Sequence, residues 1–265
     1  MEKVKINMVG GGFQHDICSS HNNIPKYIEW DKRGGASISM HIDTGIQIPI
    51  DNTKRNFAWI LESSSIIPTL IKWITNNVEY MENNFELIFT HDERLLPLSN
   101  KMRRVICNAV PWVKDHKIYN KSKLLSMIGS SKTYCPGHIY RQQIIEKHRR
   151  QLDLFGWGHN QIEKKEDGLK DFYYSIAMEN DNYSNIFTEK ITDCFVTGTI
   201  PIFWGSPIID KFFNEKGIIV LTNDFKVENL SIDLYHSKME YILENFERAI
   251  NIPTAEDYIY ENFLK

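Results

Sequence analysis

The decisive stretch reads Phe172-Tyr173-Tyr174-Ser175-Ile176-Ala177-Met178-Glu179-Asn180, crosses a polar loop to Thr188-Glu189-Lys190-Ile191-Thr192-Asp193, and closes on Gly198-Thr199-Ile200-Pro201-Ile202-Phe203-Trp204-Gly205-Ser206-Pro207. Residues Phe172 to Met178 have strand composition. Small polar residues follow, and Thr188 is a good N-cap for a helix running to Thr197. Ile200 to Trp204 is a second strand, stopped by Gly205. Strand, helix, strand at this spacing predicts a parallel βαβ unit. The helix N-terminus aims backbone N–H groups and a positive dipole end into the space after the first strand. Lys190 adds a full charge there, so a phosphate or diphosphate would be well held. Ionised Glu189 can accept bonds from ribose hydroxyls. On spacing alone, Glu189 and Lys190 also fit a favourable first-turn charge and a solvated side chain.

Outward from this stretch the same alternation continues. Val4 to Val9 is a strand entering Gly10-Gly11-Gly12, Phe57 to Leu61 a strand ending at Glu62-Ser63-Ser64-Ser65, Ile66 to Tyr80 a helix, and Phe85 to Thr90 a strand. The polar run Lys114 to Lys121 reads as a linker. Beyond it come a strand (Leu124 to Ile128), a helix (His138 to Arg150), a strand (Leu152 to Phe155), a short strand (Ile218 to Leu221) and two closing helices (Lys238 to Ile250, Ala255 to Phe263). The expectation is an α/β protein of two α/β domains, one over residues 1–115 and one over 116–265. Open α/β sheets of this kind bind ligands at the carboxyl ends of their strands.

The chain's 265 residues are 42% hydrophobic and 25% charged, which excludes a fully disordered or fibrous protein. A net charge of −3 argues against holding nucleic acid by bulk charge. No stretch approaches the ~18 apolar residues of a membrane span, and the charged N-terminus does not resemble a signal sequence. Cys18, Cys107, Cys135 and Cys194 are scattered without a CxxC pair, as in reduced thiols. A cytoplasmic location is expected. Val9-Gly10-Gly11-Gly12 does not complete a dinucleotide fingerprint, because no G-x-G-x-x-G opens a helix.

The run from Phe172 to Pro207 resembles the α-1,3-fucosyltransferases, glycosyltransferase family 10, whose hallmark is Phe-Glu-Asn, a polar loop, Thr-Glu-Lys and then Gly-x-(Ile/Val)-Pro-(Ile/Val). Gly137 to Gln143 with Leu152 to Gly156 is similar to the family's Arg-bearing helix and following strand. Trp59 to Ser63 is similar to its strand ending in Glu-Ser-Pro. The resemblance implies a GT-B-like fold, with two Rossmann-like domains facing a central cleft, and a short soluble bacterial or viral member. It implies a GDP-fucose donor held by Arg141, Glu179, Asn180, Thr188, Glu189 and Lys190. It also implies inverting transfer to an acceptor hydroxyl with Glu62 as general base. A sugar hydroxyl is a poor nucleophile, and a carboxylate in reach can take its proton as it attacks. His15, His91 and Trp157 are secondary candidates for the acceptor side. No metal ligands stand out, no cofactor is required, and the partners are a nucleotide sugar and a glycan or other hydroxyl-bearing acceptor.

Three departures bear on this reading. The family's Tyr before Val-Thr-Glu-Lys is Ile186 here, the Pro of Glu-Ser-Pro is Ser64, and the Phe before Glu-Asn is Met178. The first opens an alternative in which another nucleotide sugar is used on a non-glycan acceptor such as a hydroxylated DNA base, with Lys101 to Arg104 as a local basic patch. A more remote alternative is a nucleotide-sugar binding protein without catalysis.

Overall fold

The computed structural model describes residues 2–10, 17–21, 23–106 and 108–265. The chain divides into two compact units: Met1–Asn108 with Ser184–Ile186 and Pro253–Lys265, and Ala109–Tyr183 with Phe187–Ile252. The first holds β1 (Val4–Val9), β2 (Ile28–Asp31), β3 (Ile38–Ile42), β4 (Arg55–Ile60), β5 (Ile88–Thr90) and β6 (Met102–Arg104), with α1 (Pro68–Asn76) and α2 (Val78–Asn84). The second holds β7 (Lys123–Ile128), α3 (Pro136–His148), β8 (Asp153–Phe155), β9 (Phe172–Met178), α4 (Glu189–Val196), β10 (Ile200–Trp204), β11 (Ile219–Val220), α5 (Ile232–Ser237) and α6 (Met239–Ile250). The last helix, α7 (Ala255–Ile259), belongs to the first unit. Among the described residues no helix is long and apolar enough to cross a membrane.

Both sheets are wholly parallel, in the orders β2-β1-β3-β4-β5-β6 and β11-β10-β9-β7-β8. A parallel sheet must be covered on both faces, and β4 shows how. Phe57 and Trp59 pack on one face with Ile6, Met40 and the C-terminal Ala255 and Ile259. Ala58 and Ile60 pack on the other with Leu70, Ile74 and Met81 of the two helices. In the second unit, Tyr174, Ile176 and Met178 of β9 share a core with Ile144 and Ile145 of α3 and Ile242 of α6. Each buried Ile, Leu, Met or Phe among them contributes about 1.5–3 kcal/mol through burial.

The expected single helix from Ile66 to Tyr80 is two helices. Asn77 lies between them at φ −129° and ψ 39°, with its side-chain amide donating to the Trp73 carbonyl at 2.7 Å. Side-chain competition of this kind ends a helix. The expected linker Lys114 to Lys121 is bound to its own unit: Lys117 N–H donates to Val196 O at 3.0 Å, and the Lys121 ammonium donates to Thr197 O at 2.7 Å and Thr199 Oγ1 at 2.9 Å. Strands β2, β3 and β6 are additional to the elements that the sequence predicts. In β6 and its flank, Lys101 donates to the Glu82 and Phe85 carbonyls, Arg103 donates to those of Asn100 and Met102, and Arg104 pairs with Glu93. That basic run is committed to the chain's own groups.

Patterning along the sequence divides the chain at residues 115 and 116. The structure gathers residues 253–265 with the first unit, and two buried carboxylates show why. Glu256 accepts from Ser19 N (2.6 Å), Ser19 Oγ (3.0 Å), Trp30 Nε1 (3.3 Å) and Cys18 Sγ (3.3 Å). Asp257 accepts from Lys26 N (2.7 Å) and Tyr27 N (3.2 Å). Burial raises the Glu256 pKa, and the neighbouring Ser19 and Cys18 donors oppose the rise. The described cysteines Cys18, Cys135 and Cys194 are buried free thiols. Glu256→Ala leaves buried donors unsatisfied and is expected to cost about 3 kcal/mol in urea unfolding. Glu256→Gln, which keeps an acceptor oxygen, should cost less. An unchanged midpoint in the Ala variant would refute the clamp.

Candidate active site

In the second sheet, β7 is followed through α3 by β8 on one side, whereas β9, β10 and β11 lie on the other. The direction of winding therefore reverses between β7 and β9, which is where open α/β sheets take their ligands. Glu179 and Asn180 lie at the end of β9, Ser130 beyond β7, and the first turns of α3 and α4 beside them.

Glu179 is 1% exposed. One carboxylate oxygen accepts from Thr188 N and Thr188 Oγ1, each at 2.8 Å, and the other accepts from the Lys190 ammonium at 3.0 Å. The Thr188 hydroxyl also accepts from Lys190 N at 3.4 Å, so it caps α4 as its type predicts. The start of α4 is thereby fastened to the end of β9. Burial opposes the charge of Lys190, but the Glu179 and Glu189 carboxylates outweigh it, and the pKa is raised.

Glu189 is buried and paired, with Lys165 at 3.1 Å and Lys190 at 3.8 Å. Burial alone would raise its pKa. The two ammonium groups win and hold the carboxyl at about 2. Lys165 also meets Asp193 at 2.7 Å and lies 4.6 Å over the Trp112 ring. Asp193 in turn accepts from the N–H groups of Trp112 (2.7 Å) and Val113 (3.0 Å).

Arg141 projects from α3 and is 5% exposed. Its guanidinium makes three long contacts, to Met178 O (3.3 Å), Asn180 Oδ1 (3.4 Å) and Ser130 Oγ (3.5 Å). Burial lowers its pKa while Glu179 pulls the other way, and a guanidinium stays charged. His138 supports the same amide. Tyr134 N donates to its Nδ1 at 3.3 Å, so Nε2 carries the proton and donates to Asn180 Oδ1 at 3.1 Å. Burial first, then Arg141 and two lysines, lowers the His138 pKa. The close fit requires Gly137: a Cβ there would lie 2.1 Å from Asn180 O.

Trp157 is 63% exposed, and its carbonyl accepts from Ser131 N at 3.1 Å, which places it at the same sheet edge as Ser130. Trp204 ends β10, packs on Tyr140 with ring centres 5.3 Å apart, and lines an open depression of about 470 Å³. Ile186 is buried, as is Phe187, whose ring packs on Phe212 and Phe213.

In the first unit, Glu62 follows β4 by two residues, and its carboxylate accepts from Ser63 N at 2.8 Å. His91 follows β5 and is buried. His15 lies outside the described residues. Among the described residues no group of three or more His, Cys, Asp or Glu side chains is arranged to hold a metal ion.

The structure thus brings Arg141, Glu179, Asn180, Thr188, Glu189 and Lys190 together at one sheet edge. Sequence reasoning missed His138, Lys165 and Asp193 as parts of that edge. Lys165 arrives from the β8–β9 crossover and carries no local pattern, whereas His138, three residues before Arg141, lies on the same helix face by spacing.

No family model matches the chain. Over 109 residues it is 33% identical to an alpha-(1,3)-fucosyltransferase of Helicobacter pylori, a match covering 40% of this chain and 22% of that one. Over 84 residues it is 32% identical to a fucosyltransferase-like protein of Arabidopsis thaliana, covering 29% and 16%. A solved α1,3-fucosyltransferase shares the fold over 100% of this chain and 92% of its own, with a TM-score of 0.57 at 16% identity. Over these stretches the chain is similar to α-1,3-fucosyltransferases. A second such structure, solved with GDP, matches 95% of this chain and 82% of its own with a TM-score of 0.52 at 16% identity. The chain thus shares the two-sheet α/β, GT-B-like architecture of these solved structures, and its matches span about a fifth of the curated relatives' length.

The Glu189 carboxyl is held down in the fold, so its contribution to stability is complete above its ordinary value near 4.5 and is lost as pH falls through about 2. Between pH 5 and pH 2 the urea midpoint of the wild type should fall more steeply than that of Glu189→Gln. Parallel curves would contradict the ion-paired arrangement.

Proposed function

We propose that the chain is an inverting glycosyltransferase that moves a sugar, fucose from GDP-fucose in the first instance, to an acceptor hydroxyl. The observation that carries the reading is the pair of buried-stem cations, Arg141 and Lys190, at the switch point of the second sheet beside the N-terminus of α4. Support comes from solved α1,3-fucosyltransferases of the same fold, one with GDP and one with GDP-fucose, the latter at a TM-score of 0.52.

In this reading the donor's diphosphate lies against Arg141, Lys190 and the first amides of α4. A guanidinium fork suits two phosphate groups, and the helix end adds its dipole. Asn180, fixed by His138, orients Arg141. Glu179 fixes Thr188 and Lys190, and Glu189 meets ribose hydroxyls. Glu62 takes the proton of the acceptor hydroxyl as its oxygen attacks the anomeric carbon. One C–O bond forms, the bond to the diphosphate breaks on the opposite face, and the leaving charge is stabilised by the two cations. The displacement as written uses no divalent ion and no cofactor. The acceptor is a glycan or another hydroxyl-bearing molecule.

The test mixes the protein in turn with GDP-fucose, GDP-mannose, UDP-glucose and UDP-arabinose, reading thermal shift and slow release of nucleoside diphosphate. GDP-fucose is expected to stabilise and to be hydrolysed, with or without EDTA. Lys190→Ala should weaken its binding about ten- to a hundredfold, the worth of one charge-assisted bond. Preference for a UDP sugar would keep the transferase and overturn the fucose donor. No response to any donor would overturn the reading.

A further inference from the structure

We propose that Asp43 is a positioning residue that holds the strand end carrying Glu62. The inference rests on Glu62 acting as the base.

Ladder pairing between β3 and β4 ends at Ile42 and Trp59. The amides of Leu61 and Glu62 come after that last pair. Both are taken by one atom, Asp43 Oδ1, at 2.8 Å and 3.2 Å. Two consecutive N–H groups converging on one carboxylate oxygen fix the peptide from which the Glu62 side chain leaves. Backbone amides near a sheet edge require partners, and here the partner is a side chain from the turn that follows the neighbouring strand.

The turn that supplies Asp43 is itself constrained. Asp43 has φ +47°, in the left-handed region, which Asp enters at some cost and most other side chains avoid. Backbone strain of this kind gathers at functional sites. The turn is also jammed against the end of β1: a Cβ on Gly10 would lie 2.6 Å from Gly45 Cα and 2.9 Å from Ile42 O. The first sheet reverses its winding between β1 and β3, so this turn lies at that sheet's own switch point. Burial pushes the Asp43 pKa up to about 6, the two amides oppose the rise, and the Glu62 carboxylate adds to it. Among the described residues, His41 on the adjoining strand end turns its ring instead to Gly45 O and Asn56 Oδ1. A carboxylate placed so close to the base, yet bonded among the described residues to backbone and not to a cation, makes sense as a holder of geometry.

The experiment compares Asp43→Gly, Asp43→Asn and Glu62→Gln with the wild type. Glycine accepts the left-handed turn without strain, so Asp43→Gly removes the acceptor and spares the backbone. Amide hydrogen exchange is read over residues 58–64, and GDP release from GDP-fucose, with water as acceptor, gives kcat and KM. The expected result is faster exchange of the Leu61 and Glu62 amides in Asp43→Gly, with kcat lowered about a hundredfold and KM for GDP-fucose unchanged. Asp43→Asn keeps an oxygen for both amides and should restore protection and most of kcat. Glu62→Gln should lose kcat with protection intact. Wild-type kcat in Asp43→Gly overturns the inference and leaves the transferase reading standing. Equal loss in Asp43→Gly and Asp43→Asn also overturns it, because the charge and not the acceptor would then matter. Undiminished kcat in Glu62→Gln overturns the base assignment and the inference with it.

Discussion

The architecture at the carboxyl end of the second unit's sheet depends on one buried carboxylate. Glu179 ends β9 almost out of contact with solvent, and a carboxylate so placed is stable only if its oxygens are fully engaged. Thr188 supplies an amide and a hydroxyl, and Lys190 supplies an ammonium. The consequence is geometric. Those bonds bring the first turn of α4 to the end of β9, whatever course the intervening loop takes, and fix the direction in which the helix N-terminus points. Gly137 does the same for α3, whose start touches the Asn180 backbone at a distance no Cβ would permit. Two helix starts and one strand end are held together, with Arg141 and Lys190 carried on the helices.

The same device recurs through the molecule. Asp43 takes the amides of Leu61 and Glu62, Asp193 those of Trp112 and Val113, and Asp257 those of Lys26 and Tyr27. In each case a single acidic side chain gathers two consecutive backbone donors from a distant segment. Loops that cannot pair with a strand are thereby satisfied without water, and each segment is tied to a particular neighbour. Asp193 and Asp257 are themselves buried, so these side chains act as structural acceptors.

How far this was legible in the sequence depended on the period of each segment. The run Phe172 to Met178, the Thr188 cap and the strand Ile200 to Trp204 were readable because each has the local pattern of its element and a clear stop. So were the positions of Glu62 after β4 and Arg141 on α3, through motifs that resemble a known family. Strand β3 was not readable: Ile38-Ser39-Met40-His41-Ile42 is buried throughout, and the bonds that satisfy His41 come from Gly45 and Asn56. The return of the C-terminal helix to the first unit was equally hidden, since Glu256 and Asp257 look like an ordinary acidic first turn. Their partners lie more than 220 positions away, as the separations of 231 for Lys26 and 237 for Ser19 show. Lys165 was missed for the same reason, because its role exists only through Glu189 and Asp193, distant along the chain, whereas His138 had a local signal in its spacing from Arg141.

The most direct test of the central claim is a crystal structure of the protein with GDP. The claim predicts diphosphate oxygens within hydrogen-bond distance of the Arg141 guanidinium and the Lys190 ammonium, with the Glu179–Thr188–Lys190 bonds intact. GDP bound elsewhere, or bound with both cations still facing only their protein partners, would contradict it.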